Sequence, residues 1–238
     1  MQQQIATISF FRYQGFRNKM WGMSQMHRVR KPMQRTDGQL FFKPLGTGGG
    51  LGYSIKPNLS VYGLLVVWEN PEAAETFLKG PIFESFKIHS EEQYTVFLKP
   101  LTSRGSWSGF GDWVFQEKDQ NNPLISALTR ATIKNRFLFP FWRMVPRTSR
   151  EHSQSEGLLF SQGIGEIPLL EQATFTVWEN HEYMEKFAYG SFHGEAVTKT
   201  RQKNGFREEM FTRLQPYETR GSWYGKDEVG KFLAQFSH

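Results

Sequence analysis

Residues 66–69 read VVWE and residues 176–179 read TVWE, and each run continues into an asparagine, Asn70 and Asn180. The offset is 178 − 68 = 110. Working outward, TSRGSWSG (102–109) faces ETRGSWYG (218–225) at an offset of 223 − 107 = 116. Phe77 and Gly80 match Phe187 and Gly190 at the first offset, and Pro100 matches Pro216 at the second. Upstream, FFKPLGTG (41–48) resembles LFSQGIG (159–165), and Arg12 can be set against Arg130. Anchors in one order, with offsets that drift only at loops, identify an internal duplication.

Both copies share one grammar. Residues 4–12 and 124–133 are rich in β-branched residues and predict strands. A segment bearing Trp and Met follows (16–29 and 137–150), then a second strand near 39–45 and 157–162. The third strand, 59–68 and 170–178, is the most apolar stretch of each copy. Helices open at Pro71 and His181, pause at Gly80 and Gly190, and resume to about 90 and 204. A fourth strand (93–99, 209–215) is expected to end at the proline. The order βαββαβ is the ferredoxin-like split unit. The expected fold is therefore α+β, with tandem ferredoxin-like repeats over 1–118 and 119–238 forming a fused dimeric α+β barrel, the second repeat carrying the site.

Composition narrows the chemistry. With no cysteine, the chain has no disulfide, zinc–thiolate site, iron–sulfur cluster or cysteine nucleophile. Its first residues show no basic leader, and its longest apolar run, Val61–Trp68, is far too short to span a bilayer. The expected location is cytoplasmic, at most peripheral at the inner membrane. A formal charge of +6 suits an anionic partner, but nothing resembling a recognition helix accompanies it, so nucleic acid is not expected.

The duplication also filters residues. What both copies keep serves the shared fold; what one copy changed is the better candidate for function. By this filter Arg104, Trp107, Arg220 and Trp223 of the repeated RGSW turn are structural, the alternative being that Arg220 pairs with a cofactor carboxylate. Ile82, Phe83 and Phe86 correspond to Phe192, His193 and Ala196. Phe83 has helically spaced apolar neighbours and should face the sheet. Its replacement by His193, with Ala196 one turn on, removes volume and adds an imidazole. That change either opens a slot for a flat ligand with an axial nitrogen, or leaves a buried histidine bonded to a carbonyl. On the third strand Tyr62, Leu64 and Val66 become Gln172, Thr174 and Thr176, while the alternate face stays apolar. One face of the second copy has turned polar.

Other candidates are weaker. Gly46–Gly52 fails the dinucleotide fingerprint and is expected to be a loop. His27, His89, His152, His181 and His238 show no metal-ligand spacing. The segments 16–33 and 137–150 mix Phe, Trp and Met with Arg and Lys, which suits ordinary packing or an apolar mouth rimmed by cations.

The combination FFKPLGTG…PNLSVYGLLVVW, TVFLKPLTSRGSWSG, ALTRATI…FW, GIGEIPLLEQATFTVW and FHGEAV resembles the spheroidene monooxygenase family, over about residues 5–225. The resemblance implies a haem-dependent oxygenase that hydroxylates and then ketolates the C-2 position of acyclic carotenoid ends. Fused barrels of similar shape, such as chlorite dismutases and aldoxime dehydratases, bind haem in one half through a helix histidine. FHGEAV would put His193 in that role, as metal ligand to haem b, with Trp178 and Arg220 as further cofactor contacts. Arg130, Gln162, Gln172, Thr174 and Thr176 are the expected catalytic donors on the oxygen side. Implied partners are a carotenoid-like substrate and a ferredoxin or other electron donor; a peripheral membrane contact and the pairing of two chains are left open. The alternatives are a haem-binding or stress-response barrel without turnover, and a cofactor-free barrel for hydrophobic ligands.

Overall fold

The structure, a computed structural model, describes residues 3–49, 56–140, 142–143, 155–166, 170–190, 198 and 200–236. The strands are β1 (Ile5–Arg12), β2 (Gln39–Gly48), β3 (Pro57–Trp68), β4 (Glu92–Gly105), β5 (Ile125–Ile133), β6 (Leu158–Gly165), β7 (Glu171–Trp178) and β8 (Phe206–Gly221). They close into one antiparallel barrel in the order β1-β3-β2-β6-β7-β5-β8-β4. The described helices include α1 (Phe16–Arg28), α2 (Arg30–Met33), α3 (Pro71–Leu78), α4 (Pro81–His89), α5 (His181–Gly190) and α6 (Glu228–Leu233). The repeat pattern did not anticipate α6, whose Val229 and Leu233 join the core inside the barrel.

The repeated Trp-Glu-Asn now has a local cause. Trp68 and Trp178 close the outer face of β3 and β7, and the next asparagine caps a helix. Asn70 Oδ1 accepts from the Ala73 amide at 2.9 Å, and Asn180 Oδ1 from the Tyr183 amide at 3.0 Å. Each carboxamide satisfies a helix N–H that has no partner within the helix.

The fourth strands run past their prolines to Gly105 and Gly221, contrary to expectation. Proline lacks an N–H but is tolerated beside a bulge. The β4–β8 ladder shifts register between Phe97/Leu98 and between Pro100/Thr102, so Tyr217 and Leu101 are the extra residues. These stand 217 − 101 = 116 apart, the repeat offset, so the two bulges are symmetric. Beyond them, Gly105 and Gly221 adopt φ of 85° and 88°, and a Cβ at either would meet a carbonyl oxygen at 2.0 Å. Only glycine fits. Ser108-Gly109 and Tyr224-Gly225 then make tight turns with positive φ at both central residues.

Each of these turns lies on the other repeat and is held by a carboxylate there. Glu92 accepts from Ser222 Oγ at 2.8 Å, the Gly225 amide at 2.7 Å and Arg12 Nε at 3.0 Å. Glu208 accepts from Ser106 Oγ at 3.0 Å, the Gly109 amide at 3.3 Å and the Arg130 guanidinium. The donors differ by 222 − 106 = 225 − 109 = 116, as do the acceptors, 208 − 92 = 116. On the opposite side the repeats meet at Gly46 and Gly165, paired across β2 and β6. The glycine run expected to be a loop is therefore strand through Gly48, and its residues 50–52 lie outside the described residues.

Burial would raise the Glu208 carboxyl, but the Ser108 and Gly109 amides, Arg130 and Ser106 outweigh it and hold the group below its ordinary 4.5. Glu92 is depressed in the same way by the opposite turn. A carboxyl depressed on folding stabilises fully above its ordinary value, and that stability is lost as pH falls through the folded value. Glu208→Gln should cost about 2 kcal/mol at neutral pH, because Arg130 is 2% exposed and loses one of two counter-charges; Glu92→Gln should cost less beside the more open Arg12. Urea unfolding of each variant tests the difference. The double variant should show a shallower loss of stability below pH 4.5 than the parent.

Candidate functional site

Pairing registers fix which residues of the two repeats correspond. In β1–β3, Phe11 lies opposite Tyr62 and Ser9 opposite Leu64; in β5–β7, Ala131 lies opposite Gln172 and Thr129 opposite Thr174. Phe42 is opposite Val66 where Ser161 is opposite Thr176. On the outer sheet face of the first repeat, Phe11, Tyr62, Leu64 and Val66 are all buried under α1, α3 and α4. Phe83 is buried there as the helical pattern predicts, its ring 5.6 Å from Phe11, and Phe86 stacks on Phe11 at 4.8 Å. The same face of the second repeat carries Thr129, Ala131, Ser161, Gln172 and Thr174, and these are only half-buried. The change extends over three strands, not β7 alone.

Its lower end is closed. Met184 and Phe187 of α5 pack on Trp178, the Phe187 ring stacking at 5.4 Å. The buried Trp178 indole donates to Thr176 Oγ1 at 2.9 Å. In the first repeat the equivalent Trp68 donates to Thr7 Oγ1 across the strand pair, also at 2.9 Å. Thr7 corresponds to Ala127, and Val66 to Thr176. The acceptor hydroxyl has moved from one strand to its neighbour, so Thr176 compensates for a lost threonine and serves the fold. That corrects its expected place among the oxygen-side donors.

Two other expected donors lie on the opposite side of the sheet. Arg130 and Gln162 alternate with the outward residues and point into the barrel, where Leu128, Phe160, Ile164 and Phe175 form the core. Strand register also corrects the match of Arg12 with Arg130: Arg12 corresponds to Thr132, opposite Glu208 as Arg12 is opposite Glu92. The counterpart of Arg130 is Phe10. A core phenylalanine has thus become a guanidinium, which pairs with Glu208 and Glu171 and lies over the Trp107 ring at 5.7 Å. Beside it, Glu166 takes Trp107 Nε1 at 2.6 Å and Lys43 Nζ at 2.7 Å. This charged end of the barrel escaped the sequence reading; only the two-residue change of offset would have exposed Phe10 to Arg130 as a difference between copies.

Arg220 belongs to the first repeat's surroundings. Its guanidinium binds Glu75 and Glu218 and lies over Phe97 at 4.5 Å. Arg220 holds the Glu75 carboxyl below its ordinary range. Its donors are engaged there by two carboxylates, on the first repeat's side of the barrel. His181, at the start of α5, is 44% exposed and has Nε2 within 2.8 Å of Arg213 Nη1. Since a guanidinium only donates, that lone pair is occupied. His193 lies outside the described residues, as do Phe192, Ala196 and the rest of FHGEAV. What remains on the half-buried face is Gln172 and Thr174, joined by Thr129, which the sequence reading missed. The face carries small, polar side chains where the first repeat has aromatic and aliphatic ones. Among the described residues no group of His, Asp or Glu could enclose a bare metal ion. A macrocycle that brings its own nitrogens needs only an axial donor.

No family model matches the chain. A spheroidene monooxygenase of Cereibacter sphaeroides is 35% identical over 97% of this chain and 72% of its own length. One of Rhodobacter capsulatus is 34% identical over 94% of this chain and 95% of its own. Among solved structures, an aldoxime dehydratase in complex with butyraldoxime has a TM-score of 0.63 at 9% identity, covering 98% of this chain and 86% of that one. A second aldoxime dehydratase reaches 0.59 at 12% identity, over 96% and 83%. These structures share the fold.

The relocated hydroxyl gives a prediction. Thr176→Val removes the acceptor at Trp178 and should destabilise the protein by about 1–2 kcal/mol in urea unfolding. Adding Ala127→Thr restores the first-repeat arrangement and should recover most of that loss. A double-mutant cycle without coupling would show that the two sites do not share the hydrogen bond.

Proposed function

This chain belongs to the spheroidene monooxygenase family, and from that premise we propose that it is a haem-dependent enzyme that hydroxylates and then ketolates the C-2 position of acyclic carotenoid ends. The observation that carries the haem reading is the difference between the two outer faces. One scaffold, used twice, has an apolar, buried outer sheet face in the first repeat and a small, polar, half-buried one in the second. The aromatic Phe11 and Tyr62 give way to Ala131 and Gln172, and along the chain Phe83 and Phe86 give way to His193 and Ala196.

When bound, haem b supplies the activation of O₂. His193 is the residue we assign to hold the iron through an imidazole nitrogen. It follows α5 in the chain, and α5 docks by Met184 and Phe187 at the closed end of the face. Trp178 supports that end as part of the wall. Gln172, Thr174 and Thr129 offer an amide and two hydroxyls from the sheet side, where they would orient a molecule bound at this face by hydrogen bonds. Arg130 acts from inside the barrel, tying β5 to Glu171 of β7 and Glu208 of β8, and Gln162 is buried on the same inner side. Electrons come from a separate donor such as a ferredoxin, and the substrate is a carotenoid end.

The purified protein reconstituted with haem should show a Soret band that His193→Ala weakens strongly while thermal unfolding of the apoprotein changes little. His193→Phe and, independently, Ala131→Phe restore first-repeat fillers and should give stable, colourless proteins. A normal haem spectrum in both phenylalanine variants would place the cofactor elsewhere, and with it the site.

A further inference from the structure

The first repeat's α1 and α2 carry a surface that packing does not explain. Helix α1 turns one side inward: Gly22 approaches the Tyr13 and Tyr62 rings so closely that a Cβ would meet them at 2.7–3.1 Å. Its opposite side presents Phe16, Met20 and Met23, which are 78%, 37% and 40% exposed. Their spacing of four and three residues puts them in one stripe along the helix. Exposing large apolar side chains singly is ordinary; an aligned exposed stripe flanked by one sign of charge marks a contact surface.

The charge is one-sided. From Phe16 to Arg35 the chain has six Lys and Arg residues (Arg17, Lys19, Arg28, Arg30, Lys31 and Arg35) and no Asp or Glu. The whole chain carries 29 − 23 = +6, so this segment holds all of the net charge and the remainder is balanced. Arg17 and Lys19 stand on either side of the stripe, and Arg28, Arg30, Lys31 and Arg35 extend the charge along α2. None of the six is in an ion pair among the described residues, although the chain pairs many of its other cations with carboxylates.

We propose that α1 and α2 form a membrane-docking face, with Phe16, Met20 and Met23 set among lipid chains and the flanking cations on anionic headgroups. This goes beyond the haem reading and does not depend on it. A half-sunk amphipathic helix buries its apolar edge at the headgroup boundary and adds electrostatic attraction for each basic residue near the surface. A bilayer is favoured over an acidic protein because the apolar groups protrude as a ridge from a convex helix. A plane of lipid admits a ridge; a protein surface would need a matching groove. No described helix is long and apolar enough to cross a membrane, so contact would be from one side.

The test uses the full chain and vesicles of phosphatidylcholine with or without phosphatidylglycerol. Co-sedimentation should be strong with the anionic vesicles, weak with neutral ones, and reduced by salt. Arg28→Gln/Arg30→Gln/Lys31→Gln should weaken binding roughly a hundredfold, and Phe16→Ser/Met20→Ser/Met23→Ser at least about tenfold. Thermal unfolding should be unchanged, because all six side chains are exposed. Since the chain has no cysteine, Met20→Cys gives a single site for an environment-sensitive fluorophore. Its emission should shift to the blue on adding anionic vesicles. Turnover of detergent-dispersed carotenoid should be equal in the parent and the serine variant, which separates this inference from the assigned activity. Absence of vesicle binding by the parent, an unshifted fluorophore, or serine-variant binding equal to the parent's would overturn the proposal. So would a serine variant that binds vesicles normally but loses its response to an acidic electron donor, which would assign the face to that protein.

Discussion

The antiparallel pairing of β4 with β8 is the contact on which the rest of the molecule depends. It joins the last strand of each repeat across a pseudo-twofold axis, and with the Gly46–Gly165 seam it turns two split sheets into one barrel. Backbone hydrogen bonds alone would allow such strands to slip. The register is pinned by paired bulges beside Pro100 and Pro216, by Gly105 and Gly221 against facing carbonyls, and by Glu92 and Glu208 gripping the opposite turns. Each repeat therefore completes the other, and the barrel encloses a core drawn from both.

Once that frame is set twice, the two helix–sheet interfaces can diverge. A Phe-to-Ala change in a core that cannot collapse costs about 3–5 kcal/mol, against a typical domain stability of about 5–15 kcal/mol. The second repeat has replaced Phe11 by Ala131 and Tyr62 by Gln172 on one face. A loss of that size is tolerable where the other repeat supplies rigid support and where a ligand bound only to the folded state returns stability by mass action. The filled first repeat acts as the scaffold, and the opened one is where the family's chemistry is proposed to occur.

Inside the barrel the divergence runs the other way, toward charge. Phe10 becomes Arg130, and a nearly buried guanidinium is tolerated only because Glu171, Glu208 and the Trp107 ring surround it. Lys43 and Glu166 repeat the solution alongside. These ion pairs lie on the inner side of the sheet whose outer side carries the half-buried polar face.

The sequence by itself determined the duplication, the βαββαβ order, the one-sided polarity of β7 and the structural nature of the RGSW turns. Each is carried by local signals: strand alternation, asparagine caps, glycines at positive φ, and repetition that makes those signals redundant. Only tertiary structure decided what each polar residue does. Matching Arg12 with Arg130 slipped by two residues because nothing local marks register, and the slip hid Phe10 to Arg130. Thr176 looked like a donor to a ligand until Trp178 was seen using it, and Arg220 until Glu75 and Glu218 were found around it. A side chain's role is set by the partner that satisfies it, and those partners lie on strands and helices brought together only when the barrel closes.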